Sequence, residues 1–480
     1  MSPLENSRNE SKHVCADVTK QVPNKGMSRR GFFKLAGIAV AAGAASVSLP
    51  KICAAKDLSS PLPYGSIADD KFWRNVQNQF SIDPNVVYMN IGTTGSTPKA
   101  ILESYSKYNE LAAYHPRTFE AELGATLGLP AQREALAAQF GCNMDEICLS
   151  HNTTDGLDTI INGLDFQRKD EILITHHEHI GALSPLHVLR DRYGVIIKEV
   201  EIPVLKTESA DQFVESFRNN ISKKTKAILF SHITYKTGTR LPARELCTLA
   251  REHGLISIVD GAHGPGMIQL DFHDMGCDFY AGAGHKWQCG PGGTGILYLR
   301  NQGENLPKFW TQNASTYTFA VEPYGNKRGA FDIAYSLQYR GQGNIAAFLA
   351  TVDACNMWEE IGRDKIEEYV CGLGSYLKKG LKEKFGGAGT FFAPDIPEFA
   401  TGLTSFNPFD DIHDSTKIMT LVDRLAKEAG YQVRYTDFYL HVGDIVRAYA
   451  LRISTHLFHN RTQIDGLIDA LYNIYLEMEG

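Results

Sequence analysis

Between residues 171 and 260, short apolar, β-branched runs alternate with helical patterns, and this alternation restricts the fold more than any other property of the chain. The strand-like runs are 171–175, 195–200, 226–231 and 255–260, with helical patterns at 184–193 and 242–253. Strands joined through helices run parallel and are covered on both faces, so the reading is an α/β fold with a mostly parallel sheet of the seven-stranded type. Near Arg340 the pattern changes to long helices, 344–361 and 365–385, followed by short strands, which reads as a smaller α+β C-terminal domain. The expected boundaries are 88–338 for the large domain and 339–480 for the small one, preceded by an arm at 56–87. A chain of 480 residues, 43% hydrophobic and 21% charged, is long enough for two packed domains. Its net charge of −7 and its lack of a dense basic stretch past the N-terminal region argue against a nucleic-acid partner.

Val259-Asp260-Gly261-Ala262-His263 and Gly284-His285-Lys286-Trp287 carry a carboxylate and an amine in neighbouring segments. Asp260 closes an apolar run, so its side chain should emerge at a strand's carboxyl end. Lys286 precedes the glycine-rich Gly290-Pro291-Gly292-Gly293-Thr294-Gly295, where small residues let backbone and ligand come close. The pair meets the two demands of pyridoxal 5'-phosphate. A carboxylate keeps the ring nitrogen protonated, so that the ring draws electrons, and an amine loses its proton and attaches to the aldehyde carbon. Taken singly, the two are an ordinary strand-end carboxylate and a surface lysine; their agreement with other segments favours the cofactor.

Those other segments are Tyr88-Met89-Asn90-Ile91-Gly92-Thr93-Thr94-Gly95, His151-Asn152-Thr153-Thr154-Asp155, Thr175-His176-His177-Glu178-His179, Ser231-His232-Ile233-Thr234-Tyr235-Lys236-Thr237-Gly238 and Leu451-Arg452-Ile453-Ser454. In this order, from Tyr88 to the C-terminus, the chain resembles the class V aminotransferase-like, fold-type I pyridoxal phosphate enzymes, and among them the isopenicillin N epimerase-like group. The resemblance implies that Thr153 and Thr154 grip the cofactor phosphate and that His179 stacks on the pyridine face. It also implies that Tyr235 lines the pocket and that Arg452 holds the substrate α-carboxylate, with Asn90, His115 and Arg117 as further substrate contacts. Read without it, Thr153 and Thr154 open a helix over 155–164, either as an anion site or as a plain cap. Arg452 sits in an apolar stretch that suits a carboxylate fork, an ion pair being the alternative. A metal held by His176, His177 and His179 is disfavoured: the zincin pattern needs histidine at 181, where Gly181 stands.

Where many relatives carry serine, threonine or asparagine three residues before the lysine, this chain has Ala283, so His285 or backbone amides are expected to serve the phosphate. A Gly-Thr pair from a partner subunit, common in the family, corresponds to Arg340-Gly341-Gln342-Gly343-Asn344; Gln342 is then a cofactor contact and a homodimer is implied. Tyr235 and His263 stand where cysteine desulfurases carry asparagine and glutamine near the cofactor. Desulfurases also need a thiolate shortly before the carboxylate-binding arginine, yet the last of nine cysteines is Cys371, far ahead of Arg452. Cys142 and Cys148 are near enough in sequence for a disulfide to be conceivable.

Ser28-Arg29-Arg30-Gly31-Phe32-Phe33-Lys34 is close to the twin-arginine consensus and precedes an alanine- and glycine-rich apolar stretch at 35–49. Residues 1–55 therefore read as a twin-arginine signal, with translocation machinery as a partner and the periplasm as destination. The apolar stretch falls short of the roughly 20 residues of a membrane span, so no stable anchor is expected. Cys53 as a lipidated residue is disfavoured by the lysine at position 51.

In the expected reaction an amino acid or peptide-like substrate replaces Lys286 on the cofactor, and the freed amine acts as general base at Cα, with Asp260 supporting the ring. Epimerisation, transamination and β-elimination share this beginning. The alternatives are a lyase of the desulfurase-like superfamily and a protein that binds its ligand without turnover.

Overall fold

The computed structural model describes residues 71–124, 128–206, 209–300, 309–310, 333–338, 340–394 and 396–480. The twin-arginine motif, the apolar stretch and Cys53 lie outside the described residues. A seven-stranded sheet is built from β2 (Ile147–Ser150), β3 (Glu171–Thr175), β4 (Ile196–Val200), β5 (Thr225–Ser231), β6 (Ile256–Gly261), β7 (Phe279–Ala283) and β8 (Gly295–Leu299). Its order is β2-β8-β7-β6-β5-β3-β4, and the pairs from β7 through β4 are parallel, while β8 runs antiparallel to both its neighbours. The fold is α/β, as the alternation of runs predicts.

Alternation along each strand divides the core. Ile172, Ile174, Leu229, Ile258, Phe279 and Ala281 belong to one apolar layer, and Leu173, Ile228, Phe230, Val259 and Tyr280 to the other. Helices cover both faces. Those used below are α1 (Lys99–Tyr114), α2 (Thr153–Gly163), α3 (Ile180–Tyr193), α4 (Ala243–Glu252), α5 (Ile345–Ile361), α6 (Arg363–Lys384), α7 (Ser415–Ala429) and α8 (Arg461–Glu479). Helix α2 begins at Thr153 rather than at 155, because Asn152 is its N-cap and accepts the Asp155 backbone N–H at 2.9 Å. It sits close on β7, since a Cβ on Gly156 would stand 2.9 Å from the Ala281 Cβ.

An antiparallel sheet of four strands follows in sequence, ordered β12 (Arg434–Phe438), β13 (Ala448–Ser454), β10 (Leu403–Asn407) and β9 (Thr390–Phe391). Helices α6 and α7 pack against it, and α8 packs on those two helices. The chain's early segment joins this part: β1 (Val87–Tyr88) pairs parallel with β11 (Tyr431–Gln432), and the Ser454 N–H donates to the Met89 carbonyl at 2.9 Å. Cys142 and Cys148 are free thiols. Gly156→Val should overpack the contact between α2 and β7 and cost about 1–3 kcal/mol, read as a lower urea midpoint with an unchanged slope.

Candidate active site

Strands β2, β3, β5, β6 and β7 all end at one edge of the large sheet, and the segments leaving them line a single cavity of about 440 Å³. Asn152, Thr153 and Thr154 follow β2, His179 follows β3, Tyr235 follows β5, Asp260 closes β6, and His285 and Lys286 follow β7. Arg434 and Arg452 of the second sheet complete the wall. Asp260 is 3% exposed and accepts the Ala262 N–H at 2.9 Å. Burial raises its pKa, opposed by that hydrogen bond and by the charge of Lys286. The Lys286 amine is pushed down to about 8, first by burial, while Asp260 pulls the other way and Arg452 and Arg434 add to the lowering. Desolvation thus outweighs mutual attraction for both partners, which leaves an amine able to shed its proton near neutrality.

The lysine segment is fixed from several sides. The Gly95 N–H donates to the His285 carbonyl at 2.8 Å, and a Cβ on Gly95 would fall 2.1 Å from the Lys286 carbonyl oxygen, so only glycine fits. Trp287 is fully buried; its indole N–H donates to His263 Nδ1 at 3.0 Å, and its carbonyl accepts from His456 Nε2 at 2.9 Å. An indole can only donate, so the proton of neutral His263 sits on Nε2, which is buried and meets no partner among the described residues.

His179 caps α3, and its Nδ1 accepts the Gly181 N–H at 3.0 Å, which places the ring proton on Nε2. Burial, with Lys286, Arg434, Arg452 and Lys236 adding to it, pushes its pKa down to about 4, so the ring is neutral. Tyr235 meets it edge-on, with centroids 4.8 Å apart. Beneath it, Glu178 accepts from the Thr175 and Ser231 hydroxyls at 2.5 and 2.6 Å and from the Ser231 N–H at 3.1 Å, and burial raises its pKa to about 7. His176 and His177 have their Nε2 atoms against the Leu440 and Tyr439 carbonyls, so they tie the β12–β13 hairpin to this edge. At the head of α2, the buried Thr153 hydroxyl has no partner among the described residues. Arg452, 2% exposed, donates to the Tyr235 carbonyl, Asn90 Oδ1 and Thr93 Oγ1 at 3.0, 3.0 and 2.9 Å.

The class V aminotransferase family profile matches residues 87–467. The chain belongs to the class V aminotransferases. Among this class V chain's relatives, the isopenicillin N epimerase of Streptomyces clavuligerus is 28% identical over 408 residues, covering 83% of this chain and 97% of that protein. A probable cysteine desulfurase of Halalkalibacterium halodurans is 27% identical over 400 residues, covering 80% and 92%. A solved structure of a C-DES variant with glycine covalently linked to its pyridoxal phosphate cofactor superposes with a TM-score of 0.71 at 23% identity, over 83% of this chain and 99% of that one.

The family is pyridoxal-phosphate-dependent, and the cavity fits that cofactor. It offers an amine with a lowered pKa, a buried carboxylate, a neutral imidazole, a buried threonine hydroxyl without a partner among the described residues, and a helix N-terminus. Of the residues expected from sequence, Lys286, Asp260, His179, Thr153, Thr154, His285, Tyr235 and Arg452 line the cavity, while Asn90 bonds Arg452, which does, and His263 bonds Trp287, the residue after Lys286. Arg117 is exposed after α1 and does not line it, because α1 runs on to Tyr114 and carries the following turn away; His115 is engaged with Glu122 at 3.3 Å. Gln342, expected to serve the cofactor of a partner subunit, is exposed on this chain, in a segment whose Arg340 is held by Asp155 and Thr159. Sequence reasoning missed Arg434, Thr93 and Asn152. Asn152 was signalled by its position before two threonines, whereas Arg434 depends on a strand register that no local pattern reveals.

Acylation of Lys286 in the cofactor-free protein, followed by peptide mapping across pH, should show a midpoint near 8 rather than near the usual ~10.4 of lysine. In Asp260→Asn the midpoint should fall further, because the carboxylate is what supports the charged amine.

Proposed function

We propose that this class V protein acts at the Cα of an amino acid or of an amino-acid-bearing metabolite, by epimerisation or amino transfer. The observation that carries this reading is the meeting of Lys286, Asp260 and Arg452 in one cavity. When bound, pyridoxal phosphate supplies an electron-withdrawing ring next to Cα. Asp260 would face its ring nitrogen, His179 its face, and Thr153, Thr154 and the α2 amides its phosphate, with His263 Nε2–H as an additional donor. Arg452 holds the α-carboxylate and so fixes the amino acid in orientation. Lys286, with its lowered pKa, takes the Cα proton and holds it for return. Tyr235, whose phenol is kept protonated by burial with a pKa near 12, gives the cavity a second proton carrier. Epimerisation needs such a group and amino transfer does not.

A persulfide-forming route has little support in the chain. Six of the seven free cysteines described are buried, and burial raises the pKa of the Cys142, Cys247 and Cys371 thiols to about 12. No cysteine among the described residues lines the cavity, so none of these thiols is at hand as a nucleophile there. Elimination without a protein thiol remains the second reading, favoured by the likeness to desulfurase-type relatives.

The protein with added pyridoxal phosphate should show an absorption band at the visible edge that Lys286→Ala abolishes; failure to form it would overturn the proposal. With a panel of L- and D-amino acids in heavy water, Cα exchange with loss of chirality identifies an epimerase. Release of a keto acid identifies amino transfer, and loss of a side-chain fragment a lyase. We also propose export to the periplasm through the twin-arginine route, on the strength of Arg29 and Arg30 in their context, and a homodimer, on the strength of the resemblance at 340–344. Replacing both arginines by lysine should retain the protein in the cytoplasm, as cell fractionation would read; unchanged export would refute this.

A further inference from the structure

Arg434 stands directly opposite Arg452, as its Cα partner in the antiparallel register of β12 and β13. Like charges so placed repel each other, and nothing acidic among the described residues relieves them. Their side-chain partners are neutral oxygens. The Thr93 hydroxyl donates to Asn90 Oδ1 at 2.9 Å, so its oxygen faces both arginines as an acceptor, 2.9 Å from Arg452 Nη2 and 3.3 Å from Arg434 Nη1. Arg452 Nε is buried without a partner among the described residues. Asp437, three residues along β12, falls on the other face by strand alternation and is bonded to Arg447 at 2.6 Å. Glu178 has both oxygens filled by Thr175 and Ser231.

The substrate side of the cavity therefore presents two guanidiniums on a neutral lining, one deep and one at the mouth, since Arg452 is buried and Arg434 exposed. One α-carboxylate brings a single charge, which the buried fork of Arg452 answers alone. Resting on the reading that this site handles amino acids, we propose that Arg434 binds a second anionic group of the substrate. The substrate is then an amino acid, free or terminal on a larger molecule, that carries a second carboxylate beyond the α-carboxylate.

Calorimetric titration of the pyridoxal-phosphate-loaded protein with glutarate and with butyrate tests this, because neither ligand has an amine with which to displace Lys286. Glutarate should bind about tenfold more tightly than butyrate. In Arg434→Gln that ratio should fall to about one with butyrate affinity unchanged, and Arg434→Lys should recover part of it. An unchanged melting temperature confirms the fold of each variant. Equal weakening of both ligands in Arg434→Gln would mean that the two arginines share one carboxylate, and this, like a wild-type protein without preference, overturns the proposal. The parent reading is tested separately by the Lys286-dependent absorption band. A glutarate preference in a protein that never forms that band would leave Arg434 as a second anion site and remove the amino-acid enzyme.

Discussion

Everything in the site depends on holding an amine out of water beside a carboxylate without letting either drift. Lys286 lies past the end of a strand, where backbone is ordinarily free to move, yet its segment is gripped through Gly95, through the Trp287 indole and through the Trp287 carbonyl. The grips come from parts of the chain distant in sequence: the loop after β1, the turn after β6, and His456 near the C-terminus. The buried histidines at two of these grips stay neutral because desolvation lowers their pKa values, so their bonds do not switch with pH in the physiological range.

Electrostatics then selects what can enter. Lys286, Arg434 and Arg452 act on one another and on His179, while Asp260 is the carboxylate that lines the cavity. An excess of positive charge in a recess attracts anions and adds to the burial that lowers the pKa of Lys286. The same field recruits the ligand and prepares the base.

Much of this was legible in the chain. Runs such as 226–231 read as buried parallel strands because both faces are covered, and their ends pointed to Asp260 and to the pocket segments. The short strands β2, β7 and β8 escaped notice: Phe279–Ala283 is rich in small residues that serve the packing of α2 and carry little strand signal. Arg434 escaped for another reason. Its position opposite Arg452 follows from antiparallel pairing across the hairpin between them, and register is a tertiary property. Arg117, which does not line the cavity, shows the opposite, since adjacency in a family pattern does not fix where an exposed loop points within one chain.

The pairing of β1 with β11 and the bond from Ser454 to Met89 mean that the site is closed by both ends of the described chain. Arg452 is among the last strand residues to leave the ribosome, and the loop it binds is among the first. These long-range contacts make for slow assembly, and no partial chain has a complete wall around Lys286. A nascent or truncated chain that lacks Arg434 and Arg452 keeps Asp260 and the α2 terminus beside its lysine but leaves the cavity open on the side those arginines close.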